Sequence, residues 1–424
     1  MTTSGVASTT ELRRGRARLS SLELLERTRA LQAATDTEAR ALRGFSLVTG
    51  GPFYRLLCRL RLVRAGDFRA KLPALAVLAL TWGMLAVVAG VERVVTPEVD
   101  PVLIEYAVVG RLWFAIPLFF VAESELHQRM SQTMTHLERG DLVDGASLPE
   151  LERVLRRAER WRDTWIVEYG LFVVAIGLGV STVMNPGHNL GWLQDATPRV
   201  RTPDRVWYTL VAMPVFQFLL ARWLWRWALW SYVVARMSRL RLRLVTTHPD
   251  RAGGIALLAN PTYAFSIFFA GVSSALAGTW STQVEHWRTS INAYLAPFVL
   301  LGVVGNVLAF GALTLFFRPL RRARFDGLRE YGQLALVHNR LFHARWVDGK
   351  TDELLGTPDI SSLADLQSAH DCMSQTRLVP YGTRELIVLG ACTAAPMLPA
   401  IGLAISFKEL LLKIVHALFS SLPG

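Results

Sequence analysis

An arginine inside an apolar run is the residue of this sequence most open to chemistry. Arg111 stands about midway along residues 102–122, where a guanidinium is costly unless paired or hydrated. Glu105 lies on the same run, but six residues away, which is the wrong spacing for a pair on one helix face. A partner on another helix or a water-filled cavity is therefore expected. Two readings stand together: an anion-attracting or gating residue in a pathway, and a buried structural pair joining two helices. A second group of charges falls where other apolar runs begin or end: Glu123, Glu168, Arg222 and Arg226. Arg222 and Arg226 are four apart and share a helix face, so they can pair with Glu123 and Glu168 as a charged inner gate. Against this, Trp223, Trp225, Trp227 and Trp230 surround them, the composition of an aromatic belt beside which arginines snorkel. The belt reading takes precedence. At the opposite end, a short loop brings Glu92, Arg93 and Glu105 together; solvated interfacial charge is expected there, with an acidic vestibule as the alternative.

The most distinctive local sequence is His248-Pro249-Asp250-Arg251-Ala252-Gly253-Gly254. Proline ends a helix, and paired glycines permit unusual backbone and close approach. Arg251 and free N–H groups could hold an anion, a lipid headgroup or a regulatory ligand. A tight turn capped by Asp250 is the simpler reading and is preferred. No GK[ST] follows, so this is not a Walker A loop. Ala270, Ser274 and Gly278 recur at four-residue spacing, and Gly302, Gly305 and Asn306 follow later; small residues in this pattern signify close helix packing. Asn306 has a second reading, in which it lines a conduction path with Asn292 and the backbone freed by Pro396 and Pro399.

Catalytic and metal motifs do not appear. The chain has no HExxH, no GxSxG and no nucleophile with an evident base. His338 and His343 are five apart and fall on different helix faces, and His370 with Asp371 and Asp365 is equally weak. Cys58, Cys372 and Cys392 are odd in number and far apart, without zinc or disulfide spacing. No catalytic residue, metal or cofactor is expected, and no enzymatic activity.

The elements that must position these charges are membrane helices. Of the 424 residues, 51% are hydrophobic and only 19% charged, with a mean hydropathy of +0.29, against about a quarter charged in a soluble chain. Disorder, a coiled coil and a small disulfide scaffold are excluded. A bilayer core needs about 20 apolar helical residues, and seven segments qualify, near 72–95, 102–122, 165–184, 206–232, 261–281, 292–317 and 385–406. Pro396 and Pro399 interrupt the last, which is either a crossing or re-entrant. The first 71 residues hold no apolar stretch of spanning length, so an uncleaved signal-anchor is expected rather than a cleaved leader. The net charge of +12 is mostly arginine, and alternate loops alternate in arginine content, with 185–205 (Arg199, Arg201 and Arg205) as one mild exception. The positive-inside rule then places the N-terminus inside. The basic balance is read as orientation and a grip on anionic lipid headgroups, not as a nucleic-acid footprint.

The expected organisation is all-α: an N-terminal cytoplasmic arm over 1–50, partly an amphipathic helix at 22–42, then one integrated membrane domain over 51–424. Helical cytoplasmic extensions are expected at 123–164 and 318–384. The fourth span is expected to run on unbroken from Val206 to Leu244, because no Gly or Pro intervenes before Pro249. The 318–384 loop reads as two helices around Gly356–Pro358, with Asp359 as N-cap of the second over 360–377. The tail at 407–420 is amphipathic and suits the interface.

Several stretches resemble a family of uncharacterised multi-pass bacterial membrane proteins. They are Gly51-Pro52-Phe53-Tyr54-Arg55-Leu56-Leu57, Ala122-Glu123, the 248–254 loop, Pro358-Asp359-Ile360-Ser361-Ser362-Leu363-Ala364-Asp365-Leu366, Arg377-Leu378-Val379-Pro380 and Pro396-Met397-Leu398-Pro399. The resemblance covers the chain from about residue 50 onward. It implies one integrated domain in a bacterial inner membrane and carries no activity. In topology alone, seven spans with late cytoplasmic helices are similar to the insect chemoreceptor class of tetrameric ion channels. The functional expectation is a homo-oligomeric channel or transport protein for ions or small solutes, with anions favoured by Arg111. The alternative is a sensory or scaffold protein binding a cytoplasmic protein partner or anionic lipid.

Overall fold

The computed structural model describes residues 44–95, 102–140, 142–184, 202–287, 291–349 and 358–399. The expected amphipathic segments at 22–42 and 407–420 lie outside the described residues. Those described form an all-α chain with no strand; one isolated antiparallel bridge joins Val143 and Leu242. In chain order the helices are α1 (Gly51–Arg59), α2 (Lys71–Val94), α3 (Tyr106–Arg139), α4 (Leu148–Asp163), α5 (Trp165–Met184), α6 (Pro203–Met237), α7 (Thr262–Trp287), α8 (Leu295–Trp346), α9 (Pro358–Ser374) and α10 (Thr383–Ala394).

Five helical segments are long and apolar enough to cross a membrane: α2, α3, α6, the segment Ala256–Glu285 that includes most of α7, and α8. A sixth arises if Gly145–Asp163 and Trp165–Ser181 are one span, bent by 42° at their junction. Five such helices are compatible with a multi-pass membrane protein. The count of seven goes further than this. The last expected span is represented by α10, only 12 residues long, which turns at Pro396 because proline cannot continue the hydrogen-bond ladder; residues 400–406 lie outside the described residues.

The arrangement follows from side-chain size. Over their apolar windows α3, α6 and α7 bury 56–61% of residues within the chain, against 22% for α2 and α8. The first three form the core, and α2 and α8 flank it with exposed valines and leucines such as Val87, Val91, Val303 and Val307. Small residues let α3 and α7 touch backbone to backbone. A Cβ on Gly110 would sit 2.4 Å from the Ser274 carbonyl, and one on Gly278 would sit 2.2 Å from the Tyr106 carbonyl. The expected packing role of the Ala270, Ser274, Gly278 stripe is what the structure shows. α10 lies on the other side of α7, where the Ser273 hydroxyl donates to the Thr393 carbonyl at 2.6 Å.

The long rod belongs to a different helix from the one expected. α6 stops at Met237; 238–240 is a turn and 241–244 is non-helical chain. There the Asp144 N–H donates to the Arg241 carbonyl at 3.0 Å and the Arg243 N–H to the Leu142 carbonyl at 2.9 Å. The Arg243 side chain pairs with Asp144 at 2.9 Å. Tertiary bonds to a neighbouring loop thus replace the helical ones that good local propensity would have formed. It is α8 that runs on, through one 3₁₀ turn at Gly311–Phe316, for 52 residues. That is about 78 Å at 1.5 Å per residue. α9 folds back along its polar half. Asp359 is inside the first turn of α9 rather than capping it, and it accepts from Trp346 Nε1 at 3.0 Å and pairs with Arg345 at 3.0 Å.

Candidate functional site

Arg111 is the centre of the more informative of two buried polar layers. It is 2% exposed. Its Nη1 donates to the Tyr208 hydroxyl at 2.5 Å and its Nη2 to the Thr279 hydroxyl at 3.0 Å. Arg111 therefore joins three helices, α3, α6 and α7. The backbone around it is unusual. Arg111 lies in a π-helical segment of α3, Gly110–Ala115, and Tyr208 lies in a second, Tyr208–Ala212 of α6. A third, Ala79–Gly83 of α2, lies against both. Its Thr81 is fully buried, and its Trp82 ring meets Trp113 of α3 edge to face at 5.1 Å. π-Helical turns are rare, occur mostly as single inserted turns, and are frequent at functional sites. Two of them supply the guanidinium and its Tyr208 partner, and the third packs against both; that grouping is the feature that marks this site.

Glu105 does not pair with Arg111. It meets Arg205 of α6 at 3.6 Å. Beside it Asp204 is 2% exposed. Its carboxylate accepts from the Val102 N–H at 3.0 Å, the Thr202 hydroxyl at 2.5 Å and the Arg205 N–H at 2.7 Å. The Asp204 N–H donates in turn to Glu92 at 3.3 Å. Asp204, Tyr208, Thr279 and Thr81 were not among the residues expected to matter. Thr202-Pro203-Asp204 carries a legible helix-start signal, but nothing local to Tyr208 or Thr279 points to Arg111.

The second layer is the tetrad of Glu123, Glu168, Arg222 and Arg226. Arg222 Nη1 reaches Glu123 at 2.9 Å and its Nε reaches Glu168 at 2.9 Å. Arg226 pairs with the same oxygen of Glu123. Relative exposures are 0% for Glu123, 1% for Arg222, 3% for Arg226 and 7% for Glu168. The aromatic-belt reading is thereby corrected: these arginines do not snorkel to an interface, because buried carboxylates on α3 and α5 hold them inside. Trp223 and Trp230 are buried as well. Trp223 stacks on Phe268 at 4.9 Å and donates its indole N–H to the Phe119 carbonyl, and Trp227 donates to the Leu308 carbonyl at 2.6 Å. The tetrad has two charges of each sign, so it is neutral as a unit. It is not fully saturated, since Glu123 Oε2 and Arg226 Nη2 find no hydrogen-bond partner among the described residues.

The start of α1 closes this layer. Gly51 has φ +84 and donates its N–H to Asp163 at 2.9 Å, and the Phe53 N–H donates to Glu168 Oε2 at 2.7 Å. Two carboxylates thus occupy a helix N-terminus, where orphan N–H groups and the dipole favour anions. Gly51-Pro52-Phe53 was singled out only as part of a resemblance; its role is to supply this lid.

The 248–254 loop is built around Asp250. Its Oδ1 accepts the N–H groups of Ala252 at 2.8 Å and Gly254 at 3.1 Å, and its Oδ2 that of Ala256 at 3.0 Å. His248 Nδ1 lies 2.9 Å from the same carboxylate. Burial pushes the Asp250 carboxyl up, but these four hydrogen bonds outweigh it and hold the carboxyl below its ordinary value. Arg251, Gly253 and Gly254 take positive φ of 53, 66 and 92. The N–H groups that might have cradled an external anion are already filled by Asp250, so the capped-turn reading holds. The loop is also a docking point: the Arg377 N–H donates to the Arg251 carbonyl at 2.7 Å, and Arg377 Nη2 to the Asp250 carbonyl at 2.8 Å.

Asn306 donates to the Gly302 carbonyl of its own helix at 2.9 Å. The Asn292 side chain lies outside the described ones. Pro396 is half-buried and Pro399 exposed, with Met397 between them packed on Ala277 and Trp280. The structure does not bring Asn306 and these prolines into either charged layer. No group of His, Cys, Asp and Glu suited to a metal occurs among the described residues. Comparison of the chain with protein-family models, with curated proteins and with solved structures finds no match.

Proposed function

We propose that the protein is an oligomeric membrane channel or transport protein for ions or small solutes, with small anions as the favoured class. The observation that supports this is the grouping of three π-helical turns from three candidate spans, two of which carry the buried Arg111 guanidinium and its Tyr208 partner while the third packs against both. Intramembrane charge facing a bundle interior marks ion and substrate pathways. A π turn supplies backbone that can revert to α, which shifts the residues beyond it around the helix axis. In this reading Arg111 attracts the anion and the neutral Glu/Arg tetrad seals the other end of the bundle. The bundle crosses a bacterial inner membrane with its arginine-rich end in the cytoplasm, and α10 completes a seventh span.

The test is reconstitution of the purified protein into liposomes and planar bilayers, with chloride, nitrate and phosphate gradients. The expected result is anion flux above that of empty vesicles, reduced at least about tenfold by Arg111→Gln. Tenfold corresponds to about 1.4 kcal/mol, a modest share of what a buried charge contributes. Wild type and Arg111→Gln alike showing no flux under any gradient would overturn it. A second reading, a scaffold, is favoured by one observation: Leu334, Val337 and Leu341 lie along one face of the polar half of α8 and are 54%, 55% and 67% exposed. Polar substitution of all three with flux unchanged but oligomeric state or protein capture lost would favour it.

A further inference from the structure

A groove of about 940 Å³ lies between the chain leaving α6 and α8. Four of its lining residues are arginines: Arg239 and Arg241 on the α6 side, Arg318 and Arg322 on α8. The one lining carboxylate, Asp326, reaches Arg322 at 3.6 Å. Arg239, Arg241 and Arg318 make no ion pair among the described residues and are exposed. Like charges gathered in this way repel one another, and the arrangement is relieved by a bound anion.

The groove's place in the fold selects the kind of anion. The apolar run of α8 ends at Phe317 and its basic run begins at Arg318, so the groove sits at the boundary between the spanning part of the helix and its polar extension. Leu315 and Phe317 line it and are 49% and 40% exposed. They continue the exposed apolar surface formed higher on α8 by Val303 and Val307. A free inorganic anion would use the guanidiniums and leave this surface bare, whereas a phospholipid uses both. We infer that the groove binds an anionic phospholipid, its phosphate held by Arg318 and Arg322 with Arg239 and Arg241, and its acyl chains lying along Leu315 and Phe317. The site is independent of Arg111 and would stand if the transport reading failed.

The test uses the full chain in detergent, with phosphatidylglycerol and phosphatidylcholine of identical acyl chains as probes and native mass spectrometry as readout. Phosphatidylglycerol is expected to bind at least about tenfold tighter than phosphatidylcholine. The double variant Arg318→Gln/Arg322→Gln should weaken it by about thirty-fold, which is about 2 kcal/mol, since each guanidinium near a lipid surface contributes about 1. Arg156→Gln, an exposed arginine of α4, controls for net charge and should leave binding unchanged. If the double variant melts early, Arg239→Gln/Arg241→Gln takes its place. Equal binding of the two lipids, retention of the preference in both double variants, or displacement of phosphatidylglycerol by inorganic phosphate at matched concentration would each overturn the proposal.

Discussion

The Phe53 ring lies under the Arg222 guanidinium, with the arginine Cζ 4.5 Å from the ring centroid. Because the Phe53 N–H also donates to Glu168, one residue of a short helix covers the cation and caps its counter-ion. A guanidinium desolvated in this way gains from the ring quadrupole as well as from its carboxylates. Truncation of the ring by Phe53→Ala is expected to destabilise the protein by about 3–5 kcal/mol through lost packing and cation–π attraction together, measured as thermal unfolding in detergent.

Arg222 is the shared cation of Glu123 and Glu168. Arg222→Gln leaves two buried carboxylates with only Arg226 to offset them, and should cost about 3–5 kcal/mol. The double variant Arg222→Met/Glu168→Leu removes one charge of each sign and leaves the Arg226–Glu123 pair intact. It should be more stable than Arg222→Gln alone, because no unbalanced charge stays buried. Equal losses in the single and the double variant would show that charge balance is not what holds this layer.

The α3–α7 crossing has no room for a methyl group. Gly110→Ala and Gly278→Ala each place a Cβ under 3 Å from a backbone carbonyl of the facing helix. Each should destabilise by about 1–3 kcal/mol or more through overpacking. Gly302→Ala, where an added Cβ meets nothing within 4 Å, should be neutral or mildly stabilising, as alanine is the better helix former. Melting temperatures of the three variants check this ordering.

Asp250 gives the loop after α6 a pH dependence. Its folded-state carboxyl is held below the unfolded value, so its stabilisation is present above the unfolded value of about 4 and is lost as pH falls through the lower folded value. Asp250→Asn should remove that acid-side loss and, at neutral pH, destabilise by about 1–2 kcal/mol, the scale of a lost cap. Stability profiles of both proteins from pH 7 to pH 3 should converge as the pH falls.

Tyr208 holds Arg111 through its hydroxyl. Tyr208→Phe keeps the ring and removes one hydrogen bond to a charged group, so a loss of about 1.5–3 kcal/mol is expected. Under the proposed function, anion flux should change in Tyr208→Phe in the same direction as in Arg111→Gln and by less.

What the sequence determined by itself is what depends on near neighbours along the chain. Apolar runs and turn residues were enough to place the cores of α2, α3, α6, α7 and α8. They also placed the division of residues 318–384 into two helices, the packing stripe Ala270, Ser274, Gly278 and the turn capped by Asp250. Each of these follows from helical periodicity or from a side chain bonding to backbone a few residues away. The tertiary structure alone decided which charges meet. Arg222 and Arg226 read as interfacial beside four tryptophans, yet Glu123 and Glu168 reach them from other helices and bury them. The same holds for Arg111 with Tyr208 and Thr279, which are 97 and 168 residues away in sequence. It holds also for the end of α6, where bonds to residues 142–144 displace a helix that local propensity favours. The physical reason is common to all three: burying a charge or an unpaired backbone group costs more than local propensity supplies. Its outcome is set by whichever element the fold places opposite, and no local pattern encodes that.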